Sequence, residues 1–322
     1  MPLSEVKHQN MYDKLAFRFW VIVAVFSLWP SSYVFGQVQT EPSIEILATF
    51  DYPPDAIYTA CNGINDRGDV VGVFYNGFFQ NQFHGFIRFR DGQFSRPIFP
   101  SNDVTFTVTT DIGSTPIVCG YTYDDVASVF QGYFKHDGIF TFYNVEGAAS
   151  TSIGGMNSAG HFAGSYGLFA YGDEGCYINV NGQLTTFSIP GASYHRVTGI
   201  NNADTVVGWY VITPTVYHGF FRDAVSGEVT YFDAPDSVST LVTGINDRGV
   251  MVGWYWDTNY DGHGFVFNPR ASPSFLSYDY PDSGANETHF GGINNRGMIC
   301  GDYDDVFGNH GFIAEIRGAS SR

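Results

Sequence analysis

Short apolar segments bounded by glycine, proline or acidic residues recur along the chain from about residue 44 onward. The clearest phrase is Gly-Ile-Asn followed by Asp or Asn, and its degenerate copies are 111–114 and 155–158. Successive copies are 48, 44, 44, 45 and 48 residues apart. Self-similarity at such a period indicates a repeat architecture. The six anchors of this repeat are Ile64, Ile112, Met156, Ile200, Ile245 and Ile293.

Each repeat offers four short strands, which we name a to d in chain order. Strand a carries the Gly-Ile phrase, strand b a Val-Val-Gly segment, strand c a His-Gly-Phe segment, and strand d an aromatic segment such as residues 229–235. The a–b link, Asn-x-x-Gly, is a tight-turn signal because Asn bonds to nearby backbone and Gly accepts a positive φ. Four strands in about 45 residues indicate one blade of a β-propeller.

The last repeat ends after residues 311–314 without a d strand, while residues 46–53 match the d pattern and precede the first a strand. An N-terminal d strand would complete the last blade and leave no open sheet edge. The sequence therefore predicts an all-β fold, a six-bladed β-propeller of four-stranded blades whose ring is closed by an N-terminal strand. A β-solenoid is the structural alternative, although its coils are usually shorter and need capping ends.

Residues 1–36 have the pattern of a signal peptide. Lys7, Lys14 and Arg18 precede an apolar run over residues 19–29, which is too short to span a bilayer but fits the apolar core of a secretory signal. We place cleavage after Gly36, with an uncleaved anchor as the alternative. Residues 37–322 then form a single propeller domain without a further stretch of transmembrane length, and the expected location is extracellular or periplasmic.

The repeat phrases, Gly-Ile-Asn-Asx-x-Gly, Val-Val-Gly-x-Tyr, His-Gly-Phe and Phe-x-x-Asp-x-Pro, resemble those of the bacterial extracellular HAF repeats, named for a His-Ala-Phe tripeptide. The resemblance covers residues 44–316, with Gly in place of Ala, and two repeats lack the His. It implies an exported bacterial repeat protein and transfers no catalytic residue.

Charge narrows the possible partners. The chain has 15 Lys and Arg against 32 Asp and Glu, which gives a formal net charge of −17, and its lysines are only Lys7, Lys14 and Lys135. A negative surface without a basic patch repels polyphosphate, so nucleic-acid binding is excluded. Aromatic residues make up 17% of the chain, which supplies enough apolar surface to exclude disorder.

Two sets of residues invite chemical interpretation and have simpler structural explanations. Cys119, Cys176 and Cys300 fall in slots that hold Val, Phe or Tyr in other repeats, which predicts buried free thiols, although a Cys61–Cys300 bridge stays open. A ring of histidines at the start of strand c is interpreted as structural rather than as a ligand circle. These sets are Cys61, Cys119, Cys176 and Cys300, and His84, His218, His263 and His310.

The b–c and d–a links share one face of a propeller, and here that face collects most of the acidic loop residues with Arg196 as its one clear arginine. We call it the acidic face. Carboxylates beside aromatic rings suit sugars or cations, while a merely solvated acidic rim is the alternative. The candidate ligand-binding residues on these links are Trp256, Tyr260, Phe78, Phe79 and Tyr171.

One b–c link resembles the start of a calcium loop. Asp257, Asn259 and Asp261 place oxygen ligands on alternate residues before a Gly, as in Asp-x-Asn-x-Asp-Gly. Position twelve is Asn268, so the bidentate Glu is missing. Calcium is the only cofactor the sequence suggests, and a plain polar hairpin is the alternative.

No catalytic signature is present, since the chain lacks a zinc-binding His-Glu-x-x-His, a phosphate loop and a nucleophile elbow. The sequence therefore predicts a secreted, non-catalytic propeller that acts as an extracellular binding or scaffold module for glycan or surface polymer. The alternative is a secreted glycan-acting hydrolase with a carboxylate pair on the acidic face. Such an enzyme needs a carboxyl group whose pKa is raised by an apolar pocket, whereas a binding module does not.

Overall fold

The segments rich in β-branched and aromatic residues form β-strands, and no helix occurs among the described residues. The structure, a computed structural model, describes residues 42–53, 56–77, 82–101, 104–124, 127–167, 175–213, 215–282 and 284–318. The predicted signal peptide, Phe78, Phe79 and Tyr171 lie outside the described residues. In the described part of the chain, no helix is long and apolar enough to cross a membrane.

The strands follow the predicted repeat, and an N-terminal strand precedes the first copy. The N-terminal strand is β1 (Ser43–Phe50). Repeat one comprises β2 (Tyr58–Ile64), β3 (Val70–Tyr75) and β4 (His84–Arg88), and repeat two comprises β5 (Val104–Ile112), β6 (Val118–Asp124), β7 (Val129–His136) and β8 (Ile139–Tyr143). Repeat three comprises β9 (Ser150–Met156), β10 (Phe162–Gly167), β11 (Gly175–Val180) and β12 (Gln183–Phe187).

The second half of the chain continues the same order. Repeat four comprises β13 (Tyr194–Ile200), β14 (Val206–Thr213), β15 (Val216–Arg222) and β16 (Val229–Phe232). Repeat five comprises β17 (Ser237–Ile245), β18 (Met251–Asp257), β19 (Gly262–Phe267) and β20 (Phe275–Tyr278), and repeat six comprises β21 (Glu287–Ile293), β22 (Met298–Asp305) and β23 (Gly308–Arg317). In repeat one, isolated bridges at Phe94 and Ile98 stand in place of strand d.

The N-terminal strand lies where its pattern predicts. Strand β1 pairs antiparallel with β23, with Ser43 opposite Arg317 and Phe50 opposite Gly311. Ile44 and Ile46 of β1 pack against the buried cluster that contains Phe290 and Phe312. The segment therefore covers the outer edge of repeat six.

The hydrogen-bonded sheets differ from the six separate four-stranded blades that the sequence predicts. Repeats two, three and four each form a four-stranded sheet, whereas repeats five, six and one join β1 in an eleven-stranded sheet. Among the described residues this sheet is open at β17 and at β4. Single parallel pairs, Gly262 with Glu287 and Tyr58 with Asn309, make the joins. Glycine permits this approach, since a Cβ on Gly308 would lie 2.4 Å from the Ile57 carbonyl oxygen.

The a strands of successive repeats meet at a line of glycines. A Cβ on Gly244 would lie 3.1 Å from the Cα of Gly292, and a Cβ on Gly292 would lie 3.0 Å from the Cα of Gly63. Repeat two carries Asp111 at this position, where the other repeats have glycine. Its carboxylate accepts hydrogen bonds from the backbone N–H of Ile112 and of Met156 at 2.8 and 2.9 Å. Repeat two therefore has a side chain at a position where the other repeats have only glycine.

The a–b turn asparagine has two functions in the five repeats that carry it, and repeat two has Gly113 in its place. In repeat one, Asn65 Oδ1 accepts hydrogen bonds from the N–H of Arg67 and Asp69, which is the predicted turn contact. Its Nδ2 also donates to the carbonyl of Gly113 in the next repeat at 3.1 Å. Equivalent bonds between successive repeats run from Asn157 to Asn201, from Asn201 to Asn246, from Asn246 to Asn294, and from Asn294 to Asn65.

The core consists of strand b and c side chains that are packed between repeats. The aromatic residue after the Gly of strand c has no exposed surface in repeats one, two, four, five and six, as at Phe86, Tyr133 and Phe220. Burying one such ring contributes about 1.5–3 kcal/mol. All four cysteines are buried and free, which confirms that they act as small apolar residues.

Candidate functional site

Large side chains gather where the a strands begin, the b strands end and the c strands begin, which is the edge that carries the b–c and d–a links. Alternate residues of a strand point to the same face of its sheet, so these positions share one side in every repeat. We name their rings the aromatic belt. Its members are Tyr58, Phe83, Phe106, Tyr121, Tyr194, Trp209, Tyr217, Trp254 and Trp256, and each is partly buried.

The first arc of the belt comes from repeats one and two. The ring centres of Tyr58 and Phe83 are 5.7 Å apart, those of Phe83 and Phe106 are 5.6 Å apart, and those of Phe106 and Tyr121 are 6.1 Å apart. The first of these pairs is edge-to-face, a favoured aromatic geometry. These rings form a continuous apolar surface that crosses from one repeat to the next.

The second arc comes from repeats four and five. Trp209 stacks on Tyr194 with ring centres 5.4 Å apart and meets Tyr217 edge-to-face at 5.3 Å. Tyr217 lies 6.1 Å from Trp256, which meets Trp254 edge-to-face at 4.7 Å. Two tryptophans that cross at right angles present one ring face and one ring edge to a ligand.

An arginine joins the two arcs across repeat three. Repeat three has small residues at the belt positions, namely Ser150, Ser165 and Gly167. The Arg196 guanidinium of repeat four extends over this gap and lies 4.5 Å from the ring centre of Tyr121. This is cation–π geometry, and it places a positive charge within the belt.

A group of polar side chains in repeat six borders Trp254, and we name it the charged corner. It consists of Glu287, His289, Asp302, Asp304 and Asn309. His289 lies between two carboxylates, with Nδ1 3.1 Å from Asp302 and Nε2 3.1 Å from Glu287. The Trp254 ring centre lies 4.4 Å from that of the imidazole. Asn309 Nδ2 donates to Asp302 and to Asp304 at 2.9 and 2.7 Å.

The corner shifts the pKa values of its members in opposite directions. Burial disfavours the charged imidazole of His289, but hydrogen bonds to Asp302 and Glu287 outweigh burial and raise its pKa to about 10. The hydrogen bond to His289 lowers the pKa of Glu287. Burial raises the pKa of Asp304 despite its hydrogen bond with Asn309. At neutral pH the corner therefore holds an imidazolium between carboxylates and a third carboxyl group that retains its proton more readily.

The predicted ligand-binding residues separate into different places. Trp256 belongs to the belt, and its indole lowers the pKa of Glu287 through a side-chain hydrogen bond. Tyr260 lies at the tip of the same hairpin, where it is 73% exposed and has a φ of 66°. Of the two predicted residues within the described ranges, the structure therefore places Trp256, and not Tyr260, beside other belt side chains.

The suggested calcium loop is a hairpin turn organised by Asp257. Its Oδ1 accepts hydrogen bonds from the N–H of Asn259 and Asp261 at 2.7 and 3.0 Å, and its Oδ2 accepts one from Asn259 Nδ2. These N–H donors occupy the carboxylate that would bind the ion. Within the described ranges, no group of three or more His, Cys, Asp and Glu residues is arranged to hold a metal. The calcium loop stays a prediction.

The recurring histidines contact the end of strand d in their own sheet. His218 Nδ1 lies 3.0 Å from Asp233, and His263 Nδ1 lies 2.5 Å from Asp279. His310 Nδ1 lies 2.8 Å from Asp51, which β1 supplies. These pairs connect strand c with the aromatic-Asp-x-Pro turn. The structural interpretation of the histidines is confirmed for these three repeats.

Sequence reasoning missed Trp254 and most of the charged corner. The signal that could have found them is departure from the repeat. At the position of His289 the other repeats have Ala60, Val108, Ser152, Arg196 and Leu241, and at the position of Asp302 they have Val73, Tyr121, Ser165, Trp209 and Trp254. Only repeats four and six have charged side chains at these two positions, namely Arg196, His289 and Asp302, and all three belong to the site.

Comparison with known proteins gives similarity at the level of fold. No family model matches the chain, and no curated protein matches it. Among 142 similar solved chains, TolB from Acinetobacter baumannii has 10% identity and a TM-score of 0.52 over 78% of this chain and 65% of its own. This chain thus spans less than two thirds of TolB.

A lectin is also similar. The Aleuria aurantia lectin AAL, solved with Fucα1-6GlcNAc, has 10% identity and a TM-score of 0.52 over 79% of this chain and 91% of its own. AofleA from Arthrobotrys oligospora has 12% identity and a TM-score of 0.47, over 86% and 83%. The strands and the similarities to TolB and AAL define the chain as an all-β, propeller-like protein.

Proposed function

We propose that this protein is a non-catalytic binding module that holds glycan at the aromatic belt. The observation that carries the proposal is the continuity of the partly buried rings with the charged corner. Sugars present apolar C–H faces that stack on rings and hydroxyl groups that need hydrogen-bond partners. The belt supplies the first kind of contact and the corner supplies the second.

Trp256 lies where both kinds of contact meet. Its ring is next to Trp254 on one side and Tyr217 on the other, and its indole is beside Glu287. A pyranose stacked on Trp256 would have carboxylate acceptors within reach at Glu287 and Asp304. His289 holds Glu287 and Asn309 holds Asp304 before a ligand arrives, which reduces the entropy cost of binding.

The fold comparison supports the ligand class in one respect. AAL, which shares the propeller-like fold, is a lectin that was solved with a fucosylated disaccharide. Fold alone does not determine function, so the weight of the proposal rests on the belt.

The proposal includes closure of the six repeats into a ring beyond the open sheet that the strand pairing forms, with β1 as the fourth strand of repeat six. Strand β2 of repeat one packs against β21 of repeat six, as the a strands of other successive repeats pack against each other. The bond from Asn294 Nδ2 to the Asn65 carbonyl, at 2.8 Å, links the same two repeats. A closed ring would bring the belt residues around one mouth.

The proposal also places the mature protein outside the cytoplasm, as a member of the HAF repeats. The support is the signal-peptide pattern of residues 1–36 and the repeat phrases. An extracellular or periplasmic location would expose the belt to glycan or surface polymer.

A glycan array followed by calorimetric titration tests the proposal. We expect Trp256→Ala to weaken binding of the best array ligand at least about tenfold, because one stacking ring is lost from a binding hot spot. Tyr260→Ala is the matched control, since it removes a ring from the tip of the same hairpin without touching the belt. Equal binding by the Trp256 variant and the wild type would overturn the proposal, and so would an array without ligands. A titration with a chelator tests the calcium prediction at Asp257.

A glycan-acting hydrolase is the second candidate, and the pKa values in the charged corner favour it. Glu287 and Asp304 are direct partners across β21 and β22, and their pKa values shift in opposite directions. Such a pair can divide the functions of proton donor and carboxylate. If the protein cleaves the glycan that it binds, Asp304→Asn should stop cleavage and leave binding within about twofold. Absence of released sugar with the wild type would leave only the binding function.

A further inference from the structure

A cavity of about 410 Å³ lies between repeats two and three, at the edge of the sheets that carries the a–b and c–d turns. This is the opposite edge from the aromatic belt. Strands β7 and β8 of repeat two contribute Phe134 and Tyr143, and repeat three contributes Phe162 from β10. The volume lies within the range of about 300–1,000 Å³ that small-molecule sites occupy.

The floor of the cavity is aromatic. Phe162 meets Phe134 edge-to-face with ring centres 5.0 Å apart, and it meets Tyr143 edge-to-face at 4.8 Å. Phe142, which is 46% exposed, stands at the rim. The edge-to-face contacts fix the orientation of the floor rings, so that a flat apolar ligand face would meet a prepared surface.

The rim is polar and has no uncompensated charge. The cavity lining contains no Asp, Glu, Lys or Arg, and its one ionisable side chain that can carry charge near neutral pH, His161, is paired with Asp204 at 2.8 Å. Asn179 and Asn181 add side-chain amides, with Asn179 Oδ1 accepting a hydrogen bond from the N–H of Gly182. A charged ligand would find no partner here, so the lining selects a neutral one.

The cavity depends on a combination of residues that occurs in repeat three. The a–b turn has Arg67, Arg248 and Arg296 in repeats one, five and six, whereas repeats three and four have Ala159 and Ala203 at that position. Phe162 replaces the Val, Ile or Met of the other repeats. Repeat three therefore combines a small turn residue with an added ring, whereas repeat four has the small residue without the ring.

We propose that this cavity binds a single neutral pyranose ring, whose C–H face stacks on Phe162, Phe134 and Tyr143 while its hydroxyl groups bond to the asparagine amides. The site is separate from the belt, so it would give the protein two carbohydrate contacts on opposite edges. Weak single sites gain avidity when a polymer can engage two of them.

Saturation-transfer NMR with methyl α-L-fucopyranoside, methyl β-D-galactopyranoside and methyl β-D-glucopyranoside tests the site, and the Trp256→Ala background removes any signal from the belt. In this background Ala159→Trp adds a large ring to the cavity lining, and we expect it to abolish the signal of the bound pyranoside. Ala203→Trp places the same ring on the equivalent turn of repeat four and should leave the signal unchanged. Both turns are exposed, so neither substitution disturbs the core.

Two further variants separate this site from the belt. Phe162→Val converts the floor to the residue of repeats one, two and four, and we expect it to weaken binding at least about tenfold. Trp256→Ala should leave pyranoside binding at this cavity intact even if it abolishes glycan binding at the belt. The proposal is overturned if none of the three pyranosides gives a signal with the wild type. A signal that survives Ala159→Trp in the Trp256→Ala background overturns it as well.

Discussion

Asp111 should make the protein more stable in mild acid than at neutral pH. It occupies the position in strand β5 where the other repeats have glycine, and its carboxylate contacts the N–H groups of Ile112 and Met156. Burial raises its pKa from 3.8 to about 6, although both hydrogen bonds oppose the change. Burial at the line of glycines therefore raises the pKa of Asp111 by more than the two hydrogen bonds lower it.

The size of the effect follows from linkage. A pKa of about 6 in the folded state and 3.8 in the unfolded state differ by about 2.2, and each pKa unit corresponds to about 1.4 kcal/mol. The carboxylate of Asp111 therefore costs at most about 3 kcal/mol at pH 7. A small accessible area remains on the residue, so water lowers the actual cost below this limit.

The sign follows from the direction of the shift. Below pH 3.8 Asp111 is protonated in both states and has no effect on stability through its charge. Between pH 3.8 and about 6 the unfolded state loses its proton first, so stability falls as the pH rises. Above about pH 6 the carboxylate is ionised in both states, so its cost to stability no longer changes with pH.

Urea unfolding of the wild type and of Asp111→Gly between about pH 4 and pH 7 measures this contribution. Relative to the wild type, the variant should gain up to about 3 kcal/mol as the pH rises across this range. Glycine is the residue of the other repeats, and its own effect on chain entropy does not depend on pH. Asp137→Gly is the control, because it removes an exposed carboxylate from a turn. A difference between Asp111→Gly and wild type that stays constant with pH would refute the reasoning.

Deleting residues 43–50 should lower the melting temperature by on the order of 10 °C, because β23 loses its paired strand, and an unchanged fluorimetric melt would contradict this. Cys61 and Cys300 should resist alkylation until the protein unfolds, since burial raises the pKa of both thiols, and mass spectrometry of unreduced protein should show no bridge between them. His289 should titrate by NMR at about pH 10, and the stability from its charge should be complete below pH 6.5 and decline as the pH rises towards 10. A His289 midpoint near pH 6.5 would show that its carboxylate contacts are not formed.

The strand order could be predicted from sequence because the repeat exposes it several times over. The position of β1 followed from a missing d strand at the end of the chain, and the buried cysteines followed from the slots that valine fills elsewhere. Each of these features belongs to a single repeat, and the local pattern of apolar and polar residues determines it. Where one copy of the phrase is degenerate, as at residues 111–114, its place in the repeat is still recognised from the spacing of the other copies.

Contacts between repeats could not be predicted in the same way. Arg196 reaches Tyr121 across the small residues of repeat three, and Trp254 reaches His289 in the next repeat. Both contacts depend on the angle between neighbouring sheets, which the twist sets and a repeat pattern does not record. The same limit applies to Gly262 and Gly308, whose close approach to the next strand merges three repeats into one sheet.

The pairing of β1 with β23 places Ser43 directly opposite Arg317, so both ends of the described domain lie side by side. A short linker could join them without moving either strand, and new ends could be opened at the c–d turn of repeat four, where Val225 is 97% exposed. The resulting circular permutant would keep every contact between repeats while removing β1 from the beginning of the chain. The permutant's strands would be synthesised in a different order, but its folded structure would stay the same.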